Sequence, residues 1–174
     1  MAISLYDVSV SSMQQALGGV TGFLDKGLAH CTAKGVDLKE LVEYKLAPDM
    51  LPFRFQIIAV VHHSQNAIRG VKAGVFKPPS GPMDQDYAGL QKLVAEARAE
   101  LGKVDRKEID ALEGKDVTFE LGPMKLPFTA ENFLMSFSLP NFYFHATTAY
   151  DILRMKGVPL GKRDFLGQMR MKAA

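Results

Sequence analysis

Four histidines, His30, His62, His63 and His145, and one cysteine, Cys31, are the side chains of this sequence best suited to hold a metal or act as a nucleophile. His145 sits in the stretch Leu139–Gly167, LPNFYFHATTAYDILRMKGVPLGKRDFLG. Nothing from Asn141 to Lys156 breaks a helix there, and Gly157 with Pro159 supplies a stop. On that helix Asn141, His145, Thr148 and Ile152 fall at i, i+4, i+7 and i+11, which is one face. A polar stripe on so aromatic a helix needs partners, either a network of side chains or a ligand. Without a ligand, His145 reads as a core histidine bonded to a carbonyl or hydroxyl. His62 and His63 are adjacent, so they point about 100° apart and at most one can face a given point. His30, near the end of the first helix, either complements the dipole there or is exposed.

Other chemistries fit poorly. Cys31 has His30 and Lys34 beside it but lies near a helix C-terminus, the wrong end for activating a thiol. No GxSxG elbow, Walker loop, CxxC or HExxH motif occurs. Asp151 and Arg154, three residues apart, read as an ion pair rather than an acid/base couple. The catalytic residues, if any, are not identified by motif.

The positioning elements follow from periodicity. Leu5–Thr32 predicts a long first helix, in which Gly18, Gly19, Gly22 and Gly27 point to a close backbone approach or a bend. A short helix Leu38–Tyr44 starts at the N-cap Asp37. Phe53–Gly74 predicts the second long helix, with Ile57, Val61, Ser64, Ile68 and Val71 inward. After the proline-rich loop Lys77–Asp84, Tyr87–Val104 predicts a third, with Leu90, Val94, Ala97 and Leu101 inward. Asp105–Leu112 adds a turn or two. Alternation around Gly122-Pro123 predicts a β-hairpin at about 117–126, within Asp116–Phe128. Thr129 caps a helix from Ala130, with a kink or break expected near Pro140. The pattern predicts an all-α, up-down four-helix bundle with a small hairpin excursion and a C-terminal tail over 157–174.

With 174 residues and 47% apolar content, the chain suits a single domain, 1–174, with a sizeable core. A net charge of +2 with scattered basic residues gives no nucleic-acid footprint. One cysteine excludes an internal disulfide and fits a reducing, cytoplasmic compartment. The N-terminus does not read as a signal peptide, and no apolar run is long enough to span a bilayer, so no membrane partner is expected.

Three blocks, SLYDVSV, LAPDMLP and above all Leu139–Gly167, are similar to a bacterial family of domains of unknown function within the DinB/YfiT-like superfamily. The resemblance runs nearly end to end and implies a DinB-like four-helix bundle. Members of that superfamily often hold a divalent metal through three histidines, one on the second helix and two spaced i, i+4 on the last. Some resemble thiol-dependent transferases that use a low-molecular-weight thiol. Carried over, His145 is the second member of the last-helix pair, and the first falls at Asn141, a departure from the pattern. The second-helix ligand falls at His62 or His63, with His63 preferred by its spacing to Gly74. The implied metal set is therefore His63, Asn141 and His145, for one divalent ion such as nickel or zinc. An amide oxygen is a harder, weaker ligand for these ions than imidazole. Thr148, Tyr150 and Phe142 are the expected contacts to a cofactor or small-molecule ligand. The reading is a metal-dependent hydrolase or thiol-dependent transferase; the alternative is a non-catalytic small-molecule-binding or structural bundle. The resemblance and the glycine-rich first helix together predict a homodimer.

Overall fold

The structure is a computed structural model and describes residues 3–172. It is mostly helical, with a small mixed sheet at one side. The chain begins with α1 (Leu5–Val8) and α2 (Val10–Lys34). The single first helix expected over Leu5–Thr32 is thus broken at Ser9, whose backbone leaves the helical region at φ −103, ψ −81. The buried Ser9 hydroxyl donates to the Leu5 carbonyl at 2.5 Å, the local bond by which serine competes with the helix ladder. Gly35, left-handed at φ 66, ends α2. Asp37 caps α3 (Leu38–Glu43) by accepting from the Lys39 N–H at 2.8 Å.

The second rod is α4 (Phe53–Val61), a π-helical turn over His62–Asn66, and α5 (Ala67–Ala73), ended by Gly74 at φ 73. Strand β1 (Val75–Phe76) follows at once. The third rod is α6 (Tyr87–Leu101), with Asp86 as N-cap, and α7 (Arg106–Asp110) adds one turn. After β2 (Asp116–Leu121) and β3 (Met124–Thr129) come α8 (Ala130–Asn132), a second π-helical turn over Phe133–Ser138, and α9 (Leu139–Met155). The last element is α10 (Lys162–Leu166).

No break occurs at Pro140. Proline has no N–H to give to the carbonyl four residues back, and its ring crowds that carbonyl in a regular α-helix. The π turn just before it opens the helix instead, with the Leu139 N–H reaching the Leu134 carbonyl. The rod therefore continues from Ala130 to Met155.

The four rods touch in a ring: α2 against α6, α6 against α4, α4 against α9, and α9 against α2. Phe23, Phe53, Phe133 and Phe142 are fully buried inside it. Two of the four α2 glycines, Gly19 and Gly27, serve close contacts within the chain. A Cβ at Gly19 would strike the carbonyl of Phe165 in α10, and one at Gly27 would strike the Tyr87 hydroxyl, which donates to the Leu24 carbonyl at 2.8 Å.

The expected two-stranded excursion is part of a three-stranded sheet, ordered β1-β2-β3. β2 and β3 pair antiparallel, Val117 opposite Phe128, around a turn in which Gly122 supplies the positive φ, 56°, at the first turn position. β1 pairs parallel to β2, Phe76 opposite Phe119. A two-residue strand has no alternation to read, which is why it is invisible in the sequence. It carries Phe76 into the core and anchors a hairpin that would be marginal alone. Among the described residues no helix is long and apolar enough to cross a membrane.

Candidate functional site

The two π-helical turns lie on facing rods and are tied together: the Ser138 hydroxyl donates to the His63 carbonyl at 2.8 Å, in the core. π turns widen a helix by one residue and are frequent where function needs an altered side-chain direction. Here the first of them carries both central histidines, His62 at 6% exposure and His63 at 9%. They diverge. His62 turns to β1 and lies on the Phe76 ring, centroids 4.4 Å apart. His63 turns to α9, its ring 6.0 Å from that of His145 and within 14° of parallel.

Gln56, two turns before His63 on α4, sets the state of His145. Its amide nitrogen donates to the Leu51 carbonyl at 2.7 Å, so its oxygen is the atom 2.7 Å from His145 Nδ1. Nδ1 must then carry the proton, which leaves Nε2 with a free lone pair. A histidine oriented through its other nitrogen is the usual arrangement of a metal-ligating imidazole. His63 Nδ1 and both nitrogens of His62 are buried with no hydrogen-bond partner.

Burial keeps all three imidazoles neutral. It lowers His62 to about 4, against a small opposing effect of the nearby Lys77 backbone, which closes no proper hydrogen bond. Burial also lowers His63 to about 3, helped by His62 and His145, and lowers His145 to about 4, helped by His62. Neutral imidazoles are bases and ligands rather than cations at pH 7.

A family described as a domain of unknown function (DUF1993) matches residues 5–166. The chain belongs to the DUF1993 family. The fold of this DUF1993 chain is DinB-like: it is similar to the crystal structure of a DinB family member protein from Shewanella denitrificans, with a TM-score of 0.81 and 26% sequence identity over 98% of this chain and 96% of that one. No curated protein matches it.

Of the residues expected at the DUF1993 site, the fold brings His63 and His145 together. Asn141, one turn before His145, gives its amide nitrogen to the Phe137 carbonyl at 2.7 Å, which leaves its oxygen as a free acceptor. Thr148 is buried and its hydroxyl donates to the Phe144 carbonyl at 2.8 Å. Tyr150 faces the other way, edge-on to Phe23 and Phe165, and Phe142 is fully buried. Among the described residues no three His, Cys, Asp or Glu side chains converge as a metal-holding group. The two neutral imidazoles that the fold brings together, even with an amide oxygen added, are a donor set that suits weak rather than tight binding of nickel or zinc. Cys31 is buried, and burial pushes its thiol up, away from reactivity.

Sequence reasoning missed Gln56. Its signal was present: it is the one amide in the apolar run FRFQIIAVV and lies seven residues before His63, on the same face. Phe55, edge-on to His145 at 5.9 Å, escaped for a different reason, since an aromatic residue in an apolar helix reads as core.

Proposed function

We propose that this DinB-like chain is a single up-down four-helix bundle domain whose site, between the second and last long helices, holds a divalent metal weakly through His63, Asn141 and His145. The observation that carries the reading is the Gln56–His145 bond at 2.7 Å, which presents the His145 lone pair beside the neutral, under-bonded His63. A bound ion would lower the pKa of a coordinated water or low-molecular-weight thiol, the chemistry of a metal-dependent hydrolase or thiol-dependent transferase. In that scheme Gln56 orients His145, and Ser138 holds the two rods in register. Thr148 ties its hydroxyl to the Phe144 carbonyl beside His145, and Phe142 and Tyr150 support α9 from the core side. Catalytic residues beyond the ligand set are not assigned.

Titration calorimetry with zinc and nickel tests the reading on untagged protein. His145→Ala and His63→Ala should each abolish binding, and His62→Ala should leave it nearly unchanged. Asn141→His should tighten it, because three imidazoles suit these ions better than two and an amide. No gain from Asn141→His would mean that the three positions do not share an ion. The second reading, a non-catalytic binding module, is favoured by the same bond seen otherwise: a satisfied core histidine needs no metal. We also propose a cytoplasmic homodimer through a helix face; Gly22, with open space where a Cβ would lie, leaves part of α2 free for close approach. Light scattering that gives the monomer mass across a wide concentration range would remove that proposal.

A further inference from the structure

On the far side of the π turn from His145 lies a cavity of about 580 Å³, bounded by α4, α5, α6, β1 and the proline-rich loop after β1. That volume is in the range of small-molecule sites, about 300–1,000 Å³. Its walls are apolar where Phe76, Pro78 and Leu93 meet. Gly70 makes room for it: a Cβ there would press on the Phe76 ring at 2.9 Å and the Val75 carbonyl at 3.1 Å, so only glycine lets β1 lie so close to α5.

Two of its lining side chains are incompletely bonded: His62 is buried, and Gln85 is half-buried with its side-chain oxygen covered. His62 has neither ring nitrogen paired, and Gln85 has its oxygen unpaired while its nitrogen donates to the Pro82 carbonyl at 3.0 Å. A buried polar group without a partner is costly, and native folds rarely gather such groups at one cavity without use for them. The charges on the rim do not ask for an anion, since Arg69 lies 3.9 Å from Glu100 and Lys77 3.1 Å from Glu120.

We propose that this cavity binds a neutral, flat cyclic amide, a lactam or imide fused to an apolar ring. The ring N–H donates to the Gln85 oxygen, the carbonyl accepts from the His62 N–H, and the apolar ring packs on Phe76. These free atoms are covered in the unliganded fold, so binding turns His62 and Gln85 towards the ligand. The site is separate from the metal reading above and does not depend on it.

The probe is 2-quinolinone, compared with N-methyl-2-quinolinone, which keeps the shape and carbonyl but has no donor. Binding is followed by the imidazole resonances of 13C-histidine-labelled protein, with a chelator present so that no ion at His63 and His145 enters the result. Saturable shifts at His62 are expected, with the N-methyl compound about tenfold weaker, the effect of one hydrogen bond. Gln85→Leu, a loop change that leaves the core intact, should bring the two compounds to similar affinity. His62→Leu should weaken both. Equal affinity of the two compounds for the unaltered protein, shifts confined to His63 and His145, or no shift up to the solubility limit would each overturn the proposal.

Discussion

His62 and His145 flank the same imidazole, His63, at 5.3 and 6.0 Å between ring centroids, yet they stand on opposite terms with the protein around them. His145 has a fixed tautomer, because Gln56 is itself held by the Leu51 carbonyl and can offer only its oxygen. His62 has an apolar neighbour in Phe76 and no hydrogen bond at all. Both are kept neutral by burial. The difference teaches that burial alone makes a histidine a base, whereas a ligand-ready histidine needs a partner that decides which nitrogen is free. On that ground the proposed metal belongs to the α9 side and the proposed organic ligand to the β1 side.

Acid should expose what the two flanks share, and it carries the largest expected effect. In the unfolded chain an imidazole takes its proton near pH 6.5. In the fold His62 and His145 resist until about 4 and His63 until about 3. Between those limits the unfolded state binds more protons, so stability is full above pH 6.5 and falls as the pH drops below it. Each histidine contributes at most about 1.4 kcal/mol per pH unit. Urea unfolding between pH 7 and pH 4 should show this slope; a flat profile would mean that the three rings are solvated.

Gln56→Leu comes next and separates the flanks. It leaves His145 Nδ1 and the Leu51 carbonyl without their partner, so thermal unfolding should report a loss of about 1–3 kcal/mol. An unchanged midpoint would show that water replaces the amide. His62→Leu has the smallest expected effect: it removes a buried polar group that has no bond to lose, so stability should change by less than about 1 kcal/mol, towards higher stability. The same urea titration should then lose one histidine's share of its acid slope. A clear destabilisation would show that His62 has a partner in solution and would equalise the flanks.

What the sequence determined by itself is what local chemistry decides. The stripe Ile57, Val61, Ser64, Ile68 and Val71 is buried, as is Leu90, Val94, Ala97 and Leu101, because helical period alone assigns a face. Asp37 and Thr129 cap their helices as side-chain type predicts. The approach of His63 to His145 was legible from the family resemblance, which placed the second-helix partner at His62 or His63 and favoured His63 by its spacing to Gly74. Tertiary structure decided the rest. The π turns arise where two rods must fit one another, bridged by Ser138 to the His63 carbonyl, and propensity carries no mark of them. β1 exists because Gly70 and Gly74 let two residues reach the edge of β2. Gly19 and Gly27 of α2 answer to α10 and to Tyr87, elements far along the chain. Above all, whether a buried histidine is bonded or left bare depends on an amide 89 residues away in one case and on a phenyl ring in the other. Such pairings are non-local, so no window of sequence contains them.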